Sequence, residues 1–407
     1  MSVNEKKNIM FLAPELPALS ATFVYNELVE LRALGHKVFA SSVHEPSNFA
    51  ENSGLTKDDV FFLYRLTALQ KFKSFLKITL KHPKSFVAAL FLLLKDVYSL
   101  KLLNRIALGQ VYRFYVAASL ADNIVQNNIK HMHIHFAHVP TDIGMYAARM
   151  ALITYSVQAH ANDIFERGWL LNEKIQRSKF FATISEYNIK HLHSFSTANN
   201  KLKVIHCGVD RRRFQARTVL PNNKQLKVGL LGRLVEKKGT IYLLKAALKI
   251  KNSDTDVTIE IIGDGPLLGE LKAFVKNNNL NNVSFLGKKP NHEISQWLNY
   301  LDCFVLPCVK DKNGDMDGIP VSLMEAMIIG IPVISTNISG LPELIINKET
   351  GLLIETKNID ELAEAIYTIK AMDKVELLKL TESARSHILN NFEIVTETTK
   401  LSKLIEE

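Results

Sequence analysis

Only three cysteines, Cys207, Cys303 and Cys308, occur in this chain of 407 residues. They form neither a disulfide framework nor a zinc framework, which suits a reducing compartment. Long apolar runs are also missing. The run Phe86 to Leu94 has nine residues, against the roughly 20 that a membrane-spanning helix needs. No G-x-G-x-x-G turn is followed by an acid about 20 residues on, which excludes a nicotinamide-binding Rossmann protein. The apolar stretch after Lys6-Lys7 is short and broken by Pro14, so no secretory leader is expected. Internal repeats and low-complexity tracts are absent as well. Acids are scarce in one region: between 65 and 113, ten Lys or Arg stand against Asp96 alone. That excess of nine equals the net charge of +9, so the rest of the chain is close to neutral.

What is present concentrates in Asp317-Gly-Ile-Pro-Val-Ser-Leu-Met-Glu325. Cys303 to Pro307 reads as a buried strand. A polar, glycine-bearing loop follows, then Pro320 at an expected first helical position, and a helix from Val321 to about Ile329 that stops at Gly330. Asp317 falls just ahead of this helix and Glu325 about one and a half turns inside it. The free amides and positive dipole end between them suit an anion. A nucleotide sugar, hydroxyl-rich at both ends and anionic in the middle, has the matching shape. Glu325 sits among Leu323, Met324, Met327 and Ile328, where a carboxylate is costly to bury without a partner. Upstream, Gln225 to Gly232 reads as a strand that runs into Arg233-Leu-Val-Glu-Lys-Lys238-Gly239 and then an amphipathic helix. Arg and Lys after a strand-end glycine suit a diphosphate.

In the second half, expected strands at 226–232, 257–263, 282–287, 303–307 and 332–336 alternate with helical patterns. This predicts a parallel sheet with helices on both faces, and ligands beyond the carboxyl ends of its strands. Those ends carry the unusual residues, whereas the opposite loops are ordinary connectors such as Asn277 to Asn282. The first half repeats the pattern, with a strand over Lys7–Pro14, a helix over Phe23–Leu34 and a strand over His36–Ser42. His131, His133 and His135 alternate on one strand face, with His138 beyond. No carboxylate or cysteine cluster accompanies them at ligand spacing, so no metal site is expected.

Gly232 to Gly239, Ile262-Gly-Asp-Gly-Pro266, Val283 to Gly287 and Asp317 to Met327 together resemble retaining glycosyltransferases of family 4. Asp317 stands where the E-x7-E motif of that family has its first Glu, as in the branch resembling colanic-acid and exopolysaccharide transferases. The resemblance covers nearly the whole chain. It implies a GT-B fold: two α/β, Rossmann-like domains with parallel sheets facing a central cleft. The expected parts are residues 1–215 (acceptor side, with a basic helical insertion at about 62–115), 222–385 (nucleotide-sugar binding) and 386–407 (a helical segment returning to the first domain). Catalytic roles fall to His160, at the end of a strand-to-loop segment from Ala151 to Asp163, and to Asp317, holding a donor-sugar hydroxyl. The donor would be bound by Gly232, Arg233, Lys238, Gly318, Ser322, Leu323 and Glu325. Arg233 and Lys238 would take the diphosphate and Glu325 the ribose. Ser20 and Thr22 are candidates for an acceptor or phosphate loop, although Pro14 to Thr22 lacks the glycines common there and Ser20 reads better as a helix cap.

The reading that follows is a metal-independent, retaining transferase using a UDP- or GDP-sugar donor, with no other cofactor. Its acceptor is lipid-linked or an oligosaccharide, in cell-surface polysaccharide biosynthesis. The alternatives are a GT-B nucleotide-sugar epimerase and a non-catalytic membrane-associated binding protein. The basic, aromatic-bearing stretch suggests an anionic membrane surface as partner and a peripheral cytoplasmic location on the inner face of the plasma membrane. No nucleic-acid recognition motif accompanies the charge.

Overall fold

The computed structural model describes residues 6–18, 21–50, 53–101, 104–217, 225–251 and 256–407. The chain divides into two compact units, one of residues 1–208 with 394–407 and one of residues 209–393. The first unit thus ends earlier than the 215 expected.

In the first unit, strands β1 (Asn8–Glu15), β2 (Lys37–His44), β3 (Val60–Phe62), β4 (His131–His135), β5 (Thr154–Ala159), β6 (Phe181–Thr183) and β7 (Leu202–Val204) form one parallel sheet in the order β3-β2-β1-β4-β5-β6-β7. Successive side chains of β1 serve opposite faces. Met10 and Leu12 join one apolar core, whereas Ile9, Phe11 and Ala13 join the other. Helix α1 (Thr22–Ala33) supplies Leu28 and Leu31 to the second core. On the first face, α2 (Ala68–Lys81), α3 (Pro83–Ser99) and α4 (Arg105–Gln126) account for the basic stretch. Local chemistry starts each of them. Thr67 and Gln70 form a capping box, Pro83 opens α3, and Asn104 caps α4 by accepting from the Ala107 amide at 2.8 Å. Next, α5 (Val139–Ala151) covers the same face, and α6 (Asn162–Phe165), α7 (Leu171–Arg177) and α8 (Glu186–Leu192) are short connectors. Among the described residues no helix is long and apolar enough to cross a membrane.

The second unit has a parallel sheet in the order β10-β9-β8-β11-β12-β13. Its strands are β8 (Leu226–Leu231), β9 (Val257–Ile262), β10 (Val283–Gly287), β11 (Cys303–Leu306), β12 (Val333–Thr336) and β13 (Leu352–Ile354). Every residue of β11 and β12 is buried, as central parallel strands require. Helices α9 (Thr240–Lys251), α10 (Leu268–Asn277), α11 (Asn291–Asn299), α12 (Val321–Ile329), α13 (Leu341–Leu344), α14 (Ile359–Ala371) and α15 (Lys374–Asn391) alternate with the strands. Pro320 is the residue flanking α12, one position before that expected, and Gly330 ends the helix at φ +95°. The last helix, α16 (Ile394–Glu406), belongs to the first unit. It packs on α1 and buries Leu401 and Ile405 in that unit's core. Lys7 donates to the Ile405 and Glu406 carbonyls at 2.6 and 2.9 Å, where the helix dipole favours a cation.

Candidate functional site

In the second sheet the strand order reverses between β8 and β11, and ligand crevices form at such points. The two loops leaving the carboxyl ends of these strands are 232–239 and 307–320. The Val309 amide ties them together by donating to the Lys237 carbonyl at 2.9 Å, and the Leu234 amide ties the first to the turn after β9 by donating to the Asp264 carbonyl at 2.9 Å. Gly239, at φ +66°, lies so close to the Pro307 carbonyl that a Cβ would overlap its oxygen. At Gly263 a Cβ would overlap the Gly232 carbonyl oxygen. Glycine at these positions lets the basic loop settle against its neighbours.

That packing puts Lys238 Nζ 2.6 Å from Asp317 Oδ2. Lys237 Nζ is 2.7 Å from Asp315 Oδ2 and 3.5 Å from Asp317 Oδ1, and the Cys308 thiol donates to Asp317 at 3.6 Å. Burial opposes ionisation of Asp317, yet Lys238 and then Lys237 hold its carboxyl below the ordinary range. Burial likewise disfavours the Lys238 charge, and Asp317 more than offsets it. Both groups are therefore charged at neutral pH. Burial, with Asp317 second, keeps Cys308 a thiol.

Glu325 is in a different situation. It is half-buried on α12 between Leu323, Met324, Ala326 and Met327, all buried. Burial pushes its carboxyl up to about 7, and Arg213 opposes this only in part. Ser322 is half-buried in the first turn of α12 and Gly318 lies in the loop just before it, so this turn's amides face the same edge. Arg233 is exposed, and among the described residues its guanidinium has no partner. Two buried oxygens at this edge, Asp315 Oδ1 and Thr240 Oγ1, also lack hydrogen-bond partners. The second unit thus gathers Gly232, Arg233, Lys238, Asp317, Gly318, Ser322, Leu323 and Glu325 on one edge. Sequence reasoning missed Lys237 and Asp315. Their signal was adjacency to Lys238 and Asp317, but their pairing needs both loops folded.

His160 belongs to the first unit, just beyond β5. It is buried, with its ring against Phe23, Phe136 and His135. Its Nε2 lies 3.4 Å from His135 Nδ1, and its Nδ1 lies 3.6 Å from the Cys207 sulfur. Burial, reinforced by His135, depresses its pKa well below the ordinary range, so the ring is neutral. Asp163 orients this turn, accepting from the amides of His160 (3.0 Å) and Ala137 (2.6 Å). Thr22 opens α1, where Ala21 occupies the cap position, and Ser20 lies outside the described residues. The expectation that no carboxylate accompanies His131–His138 is corrected. Glu27 of α1 reaches His135 Nε2 at 3.1 Å and His133 Nε2 at 3.5 Å. Nothing local in the sequence signals this, because α1 and β4 meet only across the sheet.

Comparison with known proteins finds glycosyltransferases. Residues 211–387 match the family model described as Glycosyl transferases group 1. WcaL of Salmonella typhimurium, provisionally named a colanic acid biosynthesis glycosyltransferase, is 25% identical over 407 residues, covering 98% of this chain and 99% of that protein. A UDP-Gal:alpha-D-GlcNAc-diphosphoundecaprenol alpha-1,3-galactosyltransferase of Escherichia coli is 31% identical over 217 residues, 50% of this chain and 54% of that protein. The crystal structure of Anabaena Alr3699/HepE in complex with UDP and glucose superposes with a TM-score of 0.72 at 16% identity, over 98% of this chain and 99% of that one. The fold is GT-B, two Rossmann-like domains with parallel sheets, and the relatives support a glycosyltransferase.

Proposed function

We propose that this chain transfers a glycosyl group from a nucleoside diphosphate sugar, with retention, to a lipid-linked or oligosaccharide acceptor in cell-surface polysaccharide biosynthesis. The observation that carries this reading is the half-buried Lys238–Asp317 ion pair at the strand-order reversal, just ahead of the α12 amides. A diphosphate entering there meets Arg233, Lys238 and the first turn of α12, cations and dipoles already in place to take up the charge of the leaving group. No metal is then needed at this edge. Asp317, kept ionised, accepts from a donor-sugar hydroxyl while Lys238 turns to the phosphate. Glu325, further along α12, accepts from the ribose. Same-face attack guided by the leaving phosphate gives retention without a protein nucleophile, in keeping with the resemblance to family 4.

The E. coli relative's diphosphoundecaprenol-linked substrate supports a lipid-linked acceptor. So does the surface of α2–α4, where Phe72, Leu76, Leu80, Phe91 and Leu94 are exposed beside Lys73, Lys81, Lys84 and Lys95. Apolar side chains rimmed by lysines suit an anionic lipid face, here the inner face of the plasma membrane.

Calorimetric titration with UDP and GDP tests the donor site. Arg233→Ala and Lys238→Ala each remove a charge-assisted contact of roughly 1.5–3 kcal/mol, so affinity should fall about 10- to 150-fold. Arg233 is exposed, so its variant folds without stranding a buried acid. Unchanged affinity in both variants overturns the assignment. Isomerised donor in the absence of acceptor would indicate an epimerase instead.

A further inference from the structure

We propose that Glu27, His133 and His135 form a buried binding site for a divalent metal ion of the zinc type, inside the first unit and separate from the donor-binding edge. One carboxylate oxygen of Glu27 and one ring nitrogen of each histidine lie within 4.8 Å of one another, and all three residues are buried. A tetrahedral ion at 2.0–2.1 Å from its ligands sets them about 3.3 Å apart. The observed separations from Glu27 Oε1, 3.1 and 3.5 Å, bracket that value.

The outer ring nitrogens are held as metal-bound imidazoles require. His133 Nδ1 contacts Ser156 Oγ at 2.8 Å, and His135 Nδ1 faces His160 Nε2 at 3.4 Å. Ser156 Oγ also lies 2.8 Å from His131 Nε2. Its single proton can go to only one of these rings, so the other ring must donate. When His133 Nδ1 is the donor, a bare lone pair on His133 Nε2 faces the Glu27 carboxylate. His133 Nε2 is a fully buried atom without a hydrogen-bond partner, 3.5 Å from Glu27 Oε1. A cation between the two removes this repulsion and satisfies both. Burial drives His133 toward neutrality despite Glu27. For Glu27, burial alone would raise the pKa, but His135 and then His133 bring it down to about 2.

Zinc content and cobalt substitution of the full chain test the site. Protein purified from zinc-supplemented cells should carry about one zinc per chain by mass spectrometry, since a closed site traps its ion on folding. Glu27→Gln, nearly isosteric, and His133→Asn should each reduce this several-fold while leaving UDP affinity unchanged. Refolding the parent in Co²⁺ should give the visible absorption of a tetrahedral centre. If the variants fail to fold, the parent's zinc content and cobalt spectrum decide alone. A parent that holds no zinc and gives no cobalt spectrum, or a folded Glu27→Gln that keeps full zinc, overturns the proposal. The cluster is then a proton-bridged carboxylate–imidazole pair.

Discussion

At the residue scale, Asp317 and Glu325 show how environment separates two acids eight positions apart. Asp317 is held ionised by Lys238 and Lys237, whereas burial raises Glu325 to about 7. Between about pH 4.5 and 7 the folded chain holds more proton on Glu325 than the unfolded chain does. Stability therefore falls as pH rises through this window, by up to about 3 kcal/mol. Glu325→Gln should raise the melting temperature at pH 8, with the gain vanishing near pH 5. It should also weaken UDP-sugar binding at pH 8, where the proposed ribose contact loses its carboxylate, and less so near pH 5, where Glu325 is already protonated. Thermal scans at the two pH values, with calorimetry, check both effects, and a melting gain that does not depend on pH would contradict the burial argument. Brief EDTA treatment should leave transfer intact, since in the proposed donor site Arg233, Lys238 and the α12 amides take the charge of the diphosphate. An assay before and after chelation decides this, and complete loss restored by Mg²⁺ or Mn²⁺ would contradict it. The spacing of the two acids was legible in the sequence because it is local to one loop and one helix. The Lys238–Asp317 pair and the reach of Glu27 to His135 were not, since each depends on segments that meet only after the sheets form.

At the element scale, composition located α2–α4 through its charge, but only packing says which lysines are available. Lys71 is buried with its ammonium over the Tyr64 ring, and Lys77 is paired with Asp122 at 2.5 Å. Lys73, Lys81, Lys84 and Lys95 remain exposed, beside Leu69, Phe72, Leu76 and Leu80 along α2 and Phe91 and Leu94 on α3. The buried side of these helices carries Ile78, Phe86, Ala89 and Leu93, so the apolar residues left outside are surplus to the core. Changing the four exposed lysines to Gln removes about 1 kcal/mol each near an anionic surface. Binding to phosphatidylglycerol vesicles should then collapse, and binding by the parent should weaken with salt. Phe72→Ser with Phe91→Ser should weaken binding in a way that salt does not mimic. Flotation of the folded lysine variant at parental levels would reduce the charge excess to a solvated face.

At the scale of the whole molecule, the alternation of strand and helix patterns was enough to read two parallel sheets, because buried parallel strands are short apolar runs bounded by glycine, proline and polar loops. Strand β13, with only Leu352–Ile354, is too short to carry such a pattern. The return of α16 to the first unit rests on contacts remote in sequence. Leu401 and Ile405 are completely buried there, so Leu401→Ala should cost about 2–5 kcal/mol through lost transfer and the cavity left behind. The chain's two tryptophans separate the consequences, since Trp169 lies in the first unit and Trp297 in the second. With Trp297→Phe, the fluorescence of Trp169 reports the first unit. There Leu401→Ala should lower the urea midpoint by about 1 M or more at the usual slopes. With Trp169→Phe, the transition of Trp297 should stay in place under the same substitution. Each background needs its own Leu401 reference, because Trp169 donates to Asp142 and its loss alone will weaken the first unit. Equal shifts in both backgrounds would mean that the chain unfolds as one cooperative body, and the assignment of α16 to the stability of the first unit alone would fall.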